Sequence, residues 1–193
     1  NIIITTEAVG NNGKASAIYA SGEGKDVTIH TEKDDNIVKL SAKDNDKTHG
    51  VLHAEDKANV TINGLVDITE TNGKVAVNVG KGSTVTLAGG EIGAKGDEAA
   101  IKVTEGGKIK INEEAKDNDV VINGKIVLGV AKPVEEEQAA PVVLKLSRRM
   151  VVPTDASSVS LTTADSALND NVEYAGNGDN KFGATIANGA KWT

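Results

Sequence analysis

The sequence predicts an all-β chain coiled into a parallel β-helix, a single-chain solenoid with three short strands per coil. Three observations predict it: a short strand motif recurs at near-constant spacing, the segments around it alternate apolar and polar residues, and polar Gly-rich turns separate them. The motif is Val27-Thr28-Ile29, Val60-Thr61-Ile62, Val85-Thr86-Leu87 and Ile109-Lys110-Ile111. Its copies start 33, 25 and 24 residues apart. A period in the twenties marks a stacked repeat.

The strand before each motif is placed eight residues upstream, at Tyr19, Leu52, Val77 and Ile101. Its inward neighbours are then Ala17 and Ser21, Gly50 and Ala54, Val75 and Val79, Ala99 and Val103. Alternation with period 2 is the signature of a strand with one buried face. This placement puts Tyr19 on the inner face. The turns "SGEGKD", "AEDKAN", "VGKGST" and "TEGGK" lead from this strand into the motif. A third strand follows at "NIVKL" (36–40), "GLVDIT" (64–69) and "DVVIN" (119–123). No stretch is long enough in helical periodicity for a crossover helix, and the L-x-x-L-x-L signature of leucine-rich repeats is missing. Stacked at about 4.8 Å, roughly eight coils of ~24 residues would make a rod on the order of 40 Å long. Asn-Gly pairs at 12–13, 63–64, 72–73, 123–124 and 188–189 supply corners tolerant of positive φ. The first step, 33 against 25, carries eight extra residues, and "SAKDNDKTH" (41–49) is the expected loop to hold them.

Composition fits a narrow core. Of 193 residues only 2% are aromatic, one Phe, one Trp and two Tyr, so Val, Ile, Leu and Ala must fill the interior. A net charge of −7 argues against a nucleic-acid binder, which usually presents a basic face. The absence of cysteine excludes a disulfide framework and a thiol nucleophile. No run of 18 apolar residues is present to form a membrane-spanning helix. The organisation expected is β-helix coils over 1–130, an acidic, proline-bracketed loop or linker over 131–141 ("AKPVEEEQAAP"), and further coils over 142–193. Alternation resumes in the last part at "VVLKL" (142–146) and "SVSLTT" (158–163). The chain starts at Asn1 without a signal-peptide pattern and ends in mid-pattern at Thr193, which reads as a segment of a longer protein.

Few residues suggest chemistry. His49 and His53 lie four apart with Glu55 nearby, but in a strand rather than the helix of an H-E-x-x-H site, so the two rings are not expected to share a face. Asp44, Asp46, Thr48 and Glu55 occupy places of a calcium-loop template, yet its glycine falls one place late, and a solvated loop is the expected reading. "DND" (117–119) and "NGDN" (177–180) read as turns. Lys95-Gly96-Asp97, similar to integrin-bound tripeptides, reads as an exposed turn, and Glu135, Glu136 and Glu137 as a solvated surface. Asn59-Val60-Thr61 is a formal glycosylation sequon within a strand. A carbohydrate-active enzyme on this fold would need paired carboxylates and aromatic platforms. The carboxylates here lie in turns with scarcely an aromatic beside them, Tyr19 being placed inside and Trp192 near the end. No catalytic, cofactor-binding or metal-ligating set is assigned.

Repeats such as "GSTVTLAGGEI" (82–92) resemble the passenger domains of bacterial autotransporters of the pertactin and adhesin kind. The tail "SLTTADSALNDNVEYAGNGDNKFGATIANGAKWT" (160–193) is similar to the end of such passengers. It has a T-x-A-D-S-x-L strand, a glycine-turn region and a closing motif of Asn188, Gly189, Ala190, Trp192 and Thr193. The resemblance implies a right-handed β-helix on the bacterial cell surface, anchored through a membrane β-barrel translocator in the full-length protein. Its expected role is a structural stalk or adhesin that contacts host, matrix or neighbouring-cell ligands, through the loops at 41–49 and 131–141. The alternatives are a carbohydrate-active enzyme and a self-association module.

Overall fold

Each strand pairs with its counterpart one coil on, not with its neighbour in sequence. The computed structural model describes residues 1–7, 16–33, 36–42, 49–69, 71, 75–94, 98–113, 118–129, 158–163, 166–169, 172–175, 181–186 and 191–192, with side chains as far as Ser160. The first coil comprises β1 (Ile2–Thr6), β2 (Ile18–Ser21) and β3 (Asp26–Ile29), and the second β4 (Ile37–Ala42), β5 (Leu52–Glu55) and β6 (Asn59–Ile62). The third holds β7 (Leu65–Ile68), β8 (Val77–Val79) and β9 (Thr84–Leu87), and the fourth β10 (Gly90–Gly93), β11 (Ile101–Val103) and β12 (Lys108–Ile111). Then come β13 (Val120–Asn123), β14 (Ile126–Gly129) and β15 (Ser158–Thr163), followed by β16 (Ser166–Asn169), β17 (Val172–Ala175) and β18 (Lys181–Ile186). A seventh coil opens with β19 (Lys191–Trp192).

Every third strand joins the same sheet, which gives parallel sheets of 7, 6 and 6 strands. The result is a right-handed parallel β-helix with three faces, and no helix occurs among the described residues. Six strand spacings at about 4.8 Å make the rod roughly 30 Å long, shorter than the eight-coil expectation. The difference arises because residues 130–157 connect β14 to β15 within one coil. The stack continues across that segment, since Ile109 and Ile111 of β12 pair with Val159 and Leu161 of β15.

The core is a column of aliphatic rungs. Val60, Val85 and Ile109 stack in the third sheet, Ile62, Leu87 and Ile111 beside them, and all are at most 1% exposed. Leu52, Val77, Ile101 and Ile126 form the matching column of the second sheet. Fully burying a side chain of this size contributes about 1.5–3 kcal/mol. Among the described residues the largest fully buried side chains are all Leu or Ile.

Three expectations need correction. Tyr19 lies outside, 51% exposed, and Ile18 takes the core position opposite Leu52. The turn from β2 to β3 is one residue longer than its successors: Ile18 to Val27 spans nine positions, Leu52 to Val60 eight. A fixed offset of eight therefore inverts the faces of β2, because a one-residue slip exchanges inside and outside. Ser21 moves outward with Tyr19.

The eight extra residues of the first step are divided between two corners. Five lie between β3 and β4, where Ile29 to Val38 spans nine positions and Ile62 to Val66 only four. The other three lie between β4 and β5, where residues 43–48 of the expected loop fall outside the described residues.

Corner chemistry differs as well. Of the Asn-Gly pairs, only 63–64 and 123–124 are described; Gly124 has φ 118° and Gly64 is not in the left-handed region. Gly64 answers crowding instead, since a Cβ there would lie 2.7 Å from the Asn36 carbonyl oxygen. The recurrent left-handed corners join the second sheet to the third, at Asp56-Lys57 (φ 56° and 65°), Lys81-Gly82 (46° and 72°) and Glu105-Gly106 (51° and 76°). Amide-to-carbonyl bonds stack these turns, Lys57 N–H donating to Lys81 O at 2.9 Å and Gly82 N–H to Glu105 O at 2.9 Å.

Candidate functional site

Outward residues of the second sheet form ladders of their own. Tyr19, His53, Asn78 and Lys102 are in register on successive coils, and Ser21 lies beside Glu55. His49 precedes β5 but is brought to the same place by the bend at Gly50 and Val51. Only glycine fits at position 50, because a Cβ would lie 2.7 Å from the Leu52 carbonyl oxygen and 2.9 Å from the Asn78 nitrogen.

Three rings meet here. Tyr19 stacks on His53 with centroids 5.3 Å apart and planes 17° apart, and His49 packs edge-on to Tyr19 at 5.5 Å. The His49 and His53 rings are 4.7 Å apart. Tyr19 and His49 thus roof over His53, which points outward yet is only 6% exposed.

A polar frame surrounds the rings. The Tyr19 hydroxyl donates to Glu55 Oε1. Glu55 Oε2 lies 3.6 Å from His53 Nε2 and 3.8 Å from Lys81 Nζ. Lys81 also pairs with Asp56 Oδ1 at 3.1 Å, and Ser21 Oγ donates to Asp56 Oδ2 at 2.9 Å. On the far side of the His53 ring, Nδ1 accepts from Gly50 N–H at 3.4 Å, and Asn78 Nδ2 lies 3.3 Å away.

These contacts shift ionisation. The Tyr19 hydroxyl bond, assisted by the charges of His53 and Lys81, holds the Glu55 carboxyl below its ordinary value. The same bond raises the Tyr19 phenol. Ser21 first, then Lys81, holds Asp56 low, and Asp56 raises Lys81. At neutral pH the corner therefore pairs the Glu55 and Asp56 carboxylates with the Lys81 ammonium, and the Tyr19 phenol stays neutral.

His49, His53 and Glu55 each offer a ligand atom, and these atoms lie within 4.8 Å of one another. The expectation that the two rings would not share a face is incorrect: the bend before β5, not a helix, brings them together. The objection that carboxylates here lack an aromatic neighbour also fails at this rung, since Tyr19 is bonded to Glu55. Correct register would have revealed this, because pairing Ile18 with Leu52 sets Tyr19 on His53.

Asp44, Asp46 and Thr48 lie outside the described residues, as do Lys95-Gly96-Asp97, Glu135, Glu136, Glu137 and "NGDN" (177–180). Their calcium-template partner Glu55 is engaged by Tyr19. Asn118 of "DND" donates through Nδ2 to the Ala88 carbonyl at 3.0 Å, a turn-fixing contact. Asn59 of the sequon, at the start of β6, donates to Asp26 Oδ1 of the preceding coil at 2.8 Å. Trp192 belongs to β19, in register with Leu168.

No family model, curated protein or solved structure matches this chain. Its class is therefore defined by architecture: a parallel β-helix with a histidine–carboxylate cluster on one outer face.

Proposed function

We propose that this chain is a stalk segment of a surface-displayed bacterial protein, of the autotransporter passenger kind, holding contact loops away from the cell. The observation that carries the reading is the continuous register from β12 to β15 across residues 130–157. A solenoid that keeps its stack through a long corner insertion separates its tasks: the rungs give rigidity, and the corners carry sequence free to recognise a ligand. The ligand class is a host-surface, matrix or neighbouring-cell component, and its contacts are the loop expected at 41–49, beyond the buried Ser41 and Ala42 that end β4, and that at 131–141. In this reading the parent protein continues into a membrane β-barrel translocator, and the segment itself performs no catalytic step.

Binding of the intact chain to cells and matrix, set against versions with either loop shortened, tests the proposal. Loss of binding on shortening one loop supports it; equal binding by all versions removes the loop assignment. Protease shaving of cells that make the parent protein tests its location, since a surface stalk is cleaved without lysis and an internal one is protected.

A further inference from the structure

We propose that His49, His53 and Glu55 form a binding site for a divalent transition-metal ion on the outer face of the second sheet. Their ligand atoms all fall within 4.8 Å of one another. His53 Nε2 and Glu55 Oε2, at 3.6 Å, are already close to the roughly 3.3 Å edge of a tetrahedron built from bonds of about 2.0–2.1 Å. Two imidazoles and one carboxylate are the donor set of zinc and its first-row neighbours, whereas calcium and magnesium prefer oxygen alone. Three protein ligands leave an open position, which on an exposed face a water or a ligand's own donor atom fills.

The surroundings act as orienting partners. The Tyr19 hydroxyl occupies Glu55 Oε1 and so directs Oε2 toward His53. Lys81 lies 3.8 Å from Oε2 but 3.1 Å from Asp56, so it keeps its closer partner when Oε2 turns to the ion. At His53, the Gly50 N–H bond to Nδ1 places the ring proton of the metal-free neutral form on Nε2. Metal capture takes the other tautomer. The proton moves to Nδ1, which gives up its bond from Gly50 N–H; the Asn78 amide rotates to accept the proton through Oδ1, and Nε2 presents its lone pair to the ion. Asn78 then serves as the outer partner that metal-bound histidines require.

The chain holds three histidines, and His30 lies apart, paired with Asn63 on the preceding corner. Histidine-ring NMR of chelator-treated protein therefore carries its own reference. One equivalent of Zn2+ should move the His49 and His53 signals and leave His30 in place, while Ca2+ moves none. By calorimetry, Glu55→Gln and His49→Asn, both at half-buried positions, should each weaken Zn2+ binding by at least about tenfold. Asn78→Asp should tighten binding, and Asn78→Leu should weaken it by about 10–100-fold. The proposal is overturned if the His49 and His53 signals stay still, if all three histidines move alike, if Ca2+ gives the same shifts, or if Glu55→Gln binds as the parent does.

Discussion

Tyr19 shows how much one side chain decides at this surface. Its ring covers His53 and its hydroxyl holds Glu55. Tyr19→Phe keeps the stack and deletes the donor, so the Glu55 carboxyl should titrate higher, toward the ordinary glutamate value near ~4.3. Carboxyl NMR of chelator-treated protein checks this; an unmoved titration would show that the bond contributes nothing. The effect on stability has a definite sign. A carboxyl held lower in the folded than in the unfolded chain adds stability above its unfolded pKa, and loses it as pH falls through the folded value. Tyr19→Phe should therefore lower the melting temperature at neutral pH and matter less in acid, below about pH 4. Glu55 is partly open to solvent, which screens what the bond contributes to stability.

Among the elements, β6 carries the clearest contrast between the two faces of a rung. Ile62 is 1% exposed between Ile29 and Leu87, whereas Thr61 faces outward between Thr28 and Thr86. Ile62→Ala should cost about 2–5 kcal/mol in urea unfolding, from lost burial and the cavity left behind. Ile62→Asp should cost more, since it places an unpaired carboxylate in the column. Thr61→Ala should stay within about 0.5 kcal/mol. Equal effects at the two positions would contradict the assigned faces. The strands were legible from sequence because their side chains repeat at period 2 and the turn from second to third sheet keeps one length in coils two to four. Where that length changes, legibility ends: one additional residue before β3 reverses β2 and hides the contact of Tyr19 with His53. The closure of the cluster by Tyr19 is hidden in the sequence for the same reason. The cluster's members are 2 to 36 positions apart, and only stacking of the first two coils, with the bend at Gly50, joins them.

For the whole molecule, stability is a sum over neighbouring coils, and an insertion matters only through the rungs it joins. Val103 reaches Lys108 through Thr104, Glu105, Gly106 and Gly107 in the fourth coil, a left-handed turn closed by the Gly107 N–H bond to the Thr104 carbonyl at 2.9 Å. In the fifth coil the equivalent positions, Leu128 and Ser158, are joined by residues 129–157. Replacing those residues with a copy of Thr104-Glu105-Gly106-Gly107 should preserve the register of β15 on β12. Shortening the connection about sevenfold, nearly three halvings at about 0.6 kcal/mol each, should raise stability by roughly 1.5–2 kcal/mol. Urea unfolding measures this directly, and circular dichroism checks that the sheet signal persists. A grafted chain that unfolds without cooperativity would mean that 129–157 supplies packing the rungs need. A stable graft would separate rod from loop, and its binding, compared with that of the parent, would then report on the insertion alone.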